Sequence, residues 1–103
     1  EHAEADVAAR LLIEAKTEAD NVANHVQRAL AQAAQLAEPG ERERIEAALG
    51  RLREARAGTD RDLIHERTTE VNRATERLAE AMMDAALKGA LASKRADSIL
   101  ESS

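Results

Sequence analysis

Apolar residues recur at every third or fourth position along the first third of the chain, as they do on one face of an α-helix. This stripe consists of Ala5, Ala8, Leu12, Ala15, Ala19, Val22, Val26, Ala29, Ala33 and Leu36. Pro39 and Gly40 then interrupt the pattern, because proline cannot continue a helix. The pattern predicts a first helix over residues 1–36.

A second stripe begins directly after this break and is much shorter. It consists of Ile45, Ala48, Leu49, Leu52 and Ala55. Acidic residues precede the stripe and arginines end it, which is the charge order that a helix dipole favours. Gly58 follows as a stop signal. The pattern predicts a second helix over residues 41–57.

The third stripe follows Thr59 and Asp62, whose spacing resembles a capping box at a helix start. It consists of Ile64, Val71, Ala74, Leu78, Met82 and Ala85. The pattern predicts a third helix over residues 60–88, fading at Lys88 and Gly89. Residues 90–100 carry a weaker pattern that predicts a short fourth helix.

These elements indicate an all-α fold, an antiparallel three-helix bundle with a long protruding first helix and a possible short fourth helix at the C-terminus. At 1.5 Å per residue the first helix would span roughly 54 Å and the second only about 24 Å. The part of the first helix before about Val22 would therefore protrude. We expect four of its residues to form one exposed apolar surface: Ala8, Leu11, Leu12 and Ile13. An uncovered stripe implies a partner, and two copies of the chain could form an antiparallel homodimer through it.

Composition excludes several functions. The net charge is −5 and aromatic residues are absent, so no basic face or stacking ring favours nucleic acid. The chain has no cysteine, which favours a reducing compartment, and we expect a cytoplasmic protein. No apolar run reaches the roughly 18 residues of a membrane span, so neither nucleic acid nor membrane is an expected partner.

The sequence offers few candidate residues for catalysis or metal binding. The histidines lie far apart and lack the spacing of a helical metal site: His2, His25 and His65. Capping and solvation explain the paired acids: Glu41 with Glu43 and Asp60 with Asp62. We therefore expect no catalytic residue, no metal and no cofactor in this chain. Because residue 1 is not methionine and already lies in a helical pattern, we expect a fragment of a longer protein. A standalone helical adaptor or coiled-coil module is the alternative.

The order of helices and turns has a familiar form. Residues 36–80 read LAEPGERERIEAALGRLREARAGTDRDLIHERTTEVNRATERLAE. This segment resembles the C-terminal helical lid of the DnaK-type seventy-kilodalton heat-shock chaperones. The matching positions are Ile45, Glu46, Ala48, Leu49, Leu52, Ala55, Gly58, Thr59 and Asp60. Upstream, residues 2–26 look like the long lid helix of that family.

The C-terminal part is similar to one branch of the family. Residues 78–91 read LAEAMMDAALKGAL and look more like the HscA branch, which handles iron–sulfur cluster scaffold proteins. General DnaK chaperones instead carry a long disordered tail that is rich in Gly, Gln and Glu. The resemblance therefore implies a chaperone whose clients include such scaffold proteins.

The resemblance also implies a role and partners. In the family, the lid closes over a peptide-binding β-sandwich of the same chain and controls release of the client peptide, while ATP is bound in a separate nucleotide-binding domain. Acids on the lid act as latches to the sandwich, and by position these are Asp6 and Asp20. One turn after the second acid the family often has histidine, whereas this chain has Asn24. An amide can still form hydrogen bonds there, but it carries no positive charge.

Overall fold

A computed structural model describes the backbone of residues 2–102 and the side chains of residues 4–91. Three α-helices follow one another in this range: α1 (His2–Gln32), α2 (Glu41–Arg56) and α3 (Arg61–Ser102). A short 3₁₀ turn, Ala34–Leu36, lies between α1 and α2. No strand occurs within the described residues, so the predicted all-α fold class is confirmed.

The helices pack side by side in an up-down-up bundle. Its buried apolar core draws on all three helices: Ala19, Val26, Leu30, Ala33, Ile45, Ala48, Leu49, Leu52, Ala55, Ile64, Val71 and Leu78. The five largest fully buried side chains all come from α2 and α3, namely Ile45, Leu52, Ile64, Val71 and Leu78. The alanine-rich stripe of α1 covers them, and its small side chains let α1 approach closely. The second predicted stripe lies wholly in the core, whereas Ala5, Ala8 and Ala85 at the outer ends of the other two stripes are exposed.

The predicted end of the first helix is wrong by four residues, because α1 stops at Gln32 instead of residue 36. The chain tightens into the 3₁₀ turn, and Leu36 packs partly buried against the core. The carbonyl oxygen of Leu36 accepts a hydrogen bond of 2.6 Å from Nη2 of Arg77 on α3. A tertiary contact thus replaces the helical bonding of this segment. Glu1, where the predicted helix begins, lies outside the described residues.

The predicted end of the third helix and the separate fourth helix are also wrong. α3 continues through Gly89 to Ser102 as one helix of 42 residues. Gly40 alone has a positive φ among the glycines of the described chain, so Gly89 adopts ordinary helical geometry. Glycine inside a helix costs only about 1 kcal/mol relative to alanine, and the flanking alanines, leucines and lysine favour helix.

The turn between α2 and α3 differs in one detail from the pattern. The side chain of Asp60, rather than that of Thr59, caps α3, because its Oδ1 accepts a hydrogen bond of 3.1 Å from the backbone N–H of Leu63. Capping by aspartate satisfies an N–H group that has no partner within the helix. The turn nevertheless lies where the sequence predicts it.

The first helix protrudes less than predicted. Leu12 and Ala15 are half-buried and already pack against the core, beside the first residues of α3, which extend past the end of α2. Only the residues before about Leu11 leave the bundle at this end. At the opposite end, α3 leaves the bundle after Met82 and continues for roughly 30 Å, which contributes to a long particle of 74 × 33 × 16 Å.

A buried ion pair fixes the junction between the helices. Glu41, at the start of α2, is 3% exposed; its carboxylate accepts a hydrogen bond of 2.9 Å from Nε of Arg77 on α3. The same carboxylate accepts the backbone N–H of Glu38 at 2.9 Å. The sequence predicts a solvated acid at position 41, and that expectation is wrong. One carboxylate therefore joins the loop after α1, the start of α2 and the middle of α3.

We expect Leu52→Ala to lower the free energy of unfolding by about 2–5 kcal/mol, as for other buried leucines that leave a cavity. Leu52 is 1% exposed at the centre of the bundle. Urea titration followed by circular dichroism measures the change, with Ile13→Ala as a control at a position that is 64% exposed. A cost of less than about 1 kcal/mol would contradict the assignment of Leu52 to the core.

We expect Glu41→Gln to lower the melting temperature at neutral pH and to make the melting temperature less dependent on pH in the acid range. The hydrogen bond from Arg77 holds the pKa of Glu41 below its usual value. The stability that this hydrogen bond adds is therefore present above the pKa of about 4.3 that a glutamate has in the unfolded chain. It is lost as the pH falls through the lower pKa of Glu41 in the folded chain. Thermal melts from neutral pH to about pH 3 test this. Glu43→Gln, at an exposed position in the same helical turn, is the control. Equal effects of the two variants would contradict a special role for Glu41.

Candidate functional site

An apolar surface lies on α1 where that helix leaves the bundle. Val7, Ala8 and Leu11, with Glu4 at one edge, line a shallow concavity there. Val7 is 50% exposed. Ala8 and Leu11 continue the helix face that Ala15 presents to the core, because residues three and four apart share a face. We call Val7, Ala8 and Leu11 the α1 apolar surface. Val7 and Ala8 are exposed on this surface and Leu11 is half-buried.

The structure divides the four residues that the sequence groups into one surface. Ala8 is exposed and Leu11 is half-buried on the α1 apolar surface. Leu12 is half-buried as well; it packs partly against the core and lines a groove together with Ala8 and Leu11. Ile13 is 64% exposed, but it lies two residues after Leu11 and so points to another side of the helix. Ile13 therefore faces away from the other three residues, and the role of these four residues as one interface stays a prediction. Val7 was missed, although its spacing of four residues from Leu11 signals a shared face.

A groove next to the α1 apolar surface separates α1 from the start of α3. Ala8, Ala9, Leu11 and Leu12 form one wall. The turn before α3 and its first residues form the other: Thr59, Asp60, Arg61 and Asp62. The groove combines an apolar wall with a charged rim. Such a combination suits a segment of protein chain better than a small ligand.

The predicted latch acids have different surroundings. Asp6 is exposed on the protruding part of α1 and takes part in none of the ion pairs formed among residues 4–91. Asp20 instead accepts two hydrogen bonds from Arg56 on α2, at 2.9 Å from Nε and 3.0 Å from Nη2. This bidentate contact lowers the pKa of Asp20. Asn24 is exposed one turn further along. Asp20 thus connects α1 to α2, which the sequence did not predict.

The titratable side chains of the described residues offer no metal site, because no three His, Cys, Asp or Glu side chains among them lie close enough together to hold a metal ion. His65 borders a small cleft with Glu14 and Glu18 across the α1–α3 contact, and His25 is exposed on α1. The side chain of His2 lies outside the described residues. None of the helices has, over the part described, the length and apolar character that crossing a membrane requires. The arrangement offers a docking surface held on a rigid bundle.

Comparison with known proteins agrees with the resemblance in the sequence. The model of the Hsp70 protein family matches residues 1–84. Chaperone protein HscA of Klebsiella pneumoniae (strain 342) is 37% identical over 98 residues, which cover 95% of this chain and 16% of that protein. The HscA homolog of Azoarcus sp. (strain BH72) is 39% identical over 97 residues, which cover 94% of this chain and 16% of that protein. The chain thus spans 16% of the length of these curated relatives.

Proposed function

The chain belongs to the Hsp70 family and is similar to its HscA chaperones, and on that premise we propose that it is the helical lid of a peptide-binding domain. The lid closes over a β-sandwich that holds a client peptide and controls how fast the peptide leaves. The clients include iron–sulfur scaffold proteins, and the chaperone acts in the cytoplasm. The chain itself carries no catalysis, and ATP binds in a separate domain of the same chaperone.

The observation that supports this proposal is the position of the α1 apolar surface. It continues the core face of α1 beyond the point where the bundle ends. Docking of Val7 and Leu11 on a partner would stabilise the closed lid, since full burial of one aliphatic side chain contributes roughly 1.5–3 kcal/mol. The bundle holds α1 as a rigid arm, so little entropy is lost when the surface docks.

A lid controls release through the difference in free energy between its docked and undocked states. A coupling of 1–3 kcal/mol between docking and another event changes peptide affinity about 5- to 150-fold. Two partly buried aliphatic side chains supply free energy of this size. The α1 apolar surface is therefore large enough to regulate release and small enough to let the lid open.

Of the two latch acids, Asp6 is the better placed. It lies on the protruding part of α1, beside the α1 apolar surface, and is exposed. Asp20 lies at the level of the end of α2, and a sandwich loop would have to displace Arg56 from it. Asn24 can add a hydrogen bond to whatever reaches Asp20. We propose Asp6 as the main latch and Asp20 as a latch that exchanges partners.

A hybrid chaperone tests the lid proposal. The matching C-terminal segment of the Klebsiella pneumoniae HscA chaperone is replaced by this chain, and dissociation of a labelled peptide is timed. We expect slower release than from the same chaperone truncated before the segment. Val7→Asp should speed release about tenfold or more, because a charge would face the docked partner.

The matched control is Ile13→Asp, which places the same charge at another exposed aliphatic position of α1. It should leave release unchanged. Release from the hybrid as fast as from the truncated chaperone would contradict a lid and favour a standalone helical adaptor.

The latch acids are tested in the same hybrid. We expect Asp6→Asn to speed release without changing the melting temperature of the isolated chain. Asp20→Asn should also speed release, and it should lower the melting temperature slightly because its contact with Arg56 weakens. Arg56→Gln breaks the same ion pair and leaves the carboxylate in place. If Arg56→Gln speeds release as much as Asp20→Asn, the effect comes from bundle stability and Asp20 is not a latch.

A further inference from the structure

A second apolar stripe lies at the opposite end of the molecule. Met83, Leu87 and Leu91 follow one another at intervals of four residues on the part of α3 that leaves the bundle. Their side chains are 67%, 60% and 59% exposed. Residues spaced by four share one helix face. We call these three residues the α3 outer stripe.

The α3 outer stripe does not continue the core face of its helix. Leu78 is fully buried in the bundle, and Leu87 follows it by nine residues, which is two and a half helical turns. Leu87 therefore lies on the side of α3 opposite to Leu78. An element that extended the bundle core along α3 would leave this stripe exposed. The stripe thus requires a different partner from the one proposed for the α1 apolar surface.

Charged residues border the α3 outer stripe in a self-complementary order. Asp84 follows Met83 and Lys88 follows Leu87, so both charges lie along the same edge of the stripe. Neither takes part in the ion pairs formed among residues 4–91. If a second α3 ran antiparallel across the stripe, each Asp84 would lie beside the Lys88 of the other copy. In a parallel arrangement this charged edge would instead face the uncharged edge of the other copy, formed by Met82, Ala86 and Ala90, and no such ion pair would form.

We propose that the α3 outer stripe binds the same stripe of a second copy of this chain, in an antiparallel pair with two-fold symmetry. Two-fold pairing of one surface with itself is the commonest form of protein assembly. Leu87 lies near the symmetry axis, Met83 packs against the Leu91 of the other copy, and two Asp84–Lys88 pairs border the contact. This inference does not depend on the proposed lid function.

The pairing is weak and depends on concentration. Three apolar side chains per copy form a contact below the roughly 1,200 Å² buried in a standard stable complex. Such a pair forms reversibly. It joins two chains through the ends that lie farthest from their α1 apolar surfaces. Both surfaces can therefore be occupied at the same time.

Sedimentation equilibrium of the 103-residue chain over a wide concentration range tests the proposal. We expect a monomer–dimer equilibrium whose dissociation constant rises about tenfold or more in Leu87→Glu, because a carboxylate would be buried in the stripe. Leu87 lies outside the core, so circular dichroism should show an unchanged bundle. Ile13→Glu, which changes another exposed aliphatic residue, should leave the equilibrium unchanged. Monomer at every concentration, or a dimer abolished by Val7→Glu and kept by Leu87→Glu, would overturn the proposal.

Reversal of the charges that border the stripe tests the antiparallel orientation without changing an apolar residue of the contact. Asp84→Lys and Lys88→Asp should each weaken self-association, because each places like charges across the contact. The two single variants mixed together should form a heterodimer, and the double variant should dimerise as the wild type does. Self-association that is unchanged by these substitutions would contradict the proposed contact.

Cross-linking gives the orientation directly, because the chain has no cysteine of its own. With a short thiol cross-linker, Leu87→Cys should link to itself, whereas Met83→Cys should link to Leu91→Cys and not to itself. Self-linking of Met83→Cys would indicate a parallel pair and overturn the proposed arrangement.

Discussion

The short length of α2 determines which parts of the two long helices are left without a neighbour. α2 has 16 residues, or about 24 Å of helix, between the turn at Gly40 and the turn at Gly58. α1 has 31 residues and α3 has 42, and neither can be covered along its whole length by so short a neighbour. The two long helices run in the same direction, so they leave the bundle at opposite ends. Each end then carries an apolar surface with its own geometry.

The ion pair between Glu41 and Arg77 fixes the position of α3 along the bundle. Glu41 lies at the first residue of α2, and Arg77 is reached only when α3 has the correct position along the bundle. The same arginine also binds the carbonyl oxygen of Leu36. A slip of α3 by one turn would leave the buried carboxylate without its partner, which is costly in a core. The pair therefore specifies where the core ends and where α3 begins to protrude.

Sequence patterns were sufficient for the parts of the structure that depend on local signals. Pro39 with Gly40 predicts the first turn, Gly58 predicts the second, and α2 begins and ends within one residue of the prediction. Sequence patterns failed where a contact between residues far apart in the sequence determines the structure. An acid at a helix start looks like a capping residue, and only the fold shows that Glu41 meets Arg77.

The candidate site shows the same division between local and distant information. The sequence was enough to group Ala8 and Leu11 on one apolar surface of α1. It could not show that Leu12 packs against the core beside the start of α3, nor that Asp20 meets Arg56, because both depend on how far α3 and α2 extend beside α1. The continuation of α3 through Gly89 was missed for another reason. A single glycine is a weak stop signal when strong helix formers surround it.

Hydrogen exchange of the α1 backbone in a chaperone that carries this segment shows whether the α1 apolar surface docks on the peptide-binding domain. With peptide bound and the lid closed, we expect the amides of residues 4–11 to exchange more slowly than in the isolated chain. The amides of α2 should exchange at the same rate in both, because the bundle holds them in either state. Equal exchange of residues 4–11 in both states would contradict the account, since the α1 apolar surface would then be as exposed in the closed chaperone as it is alone.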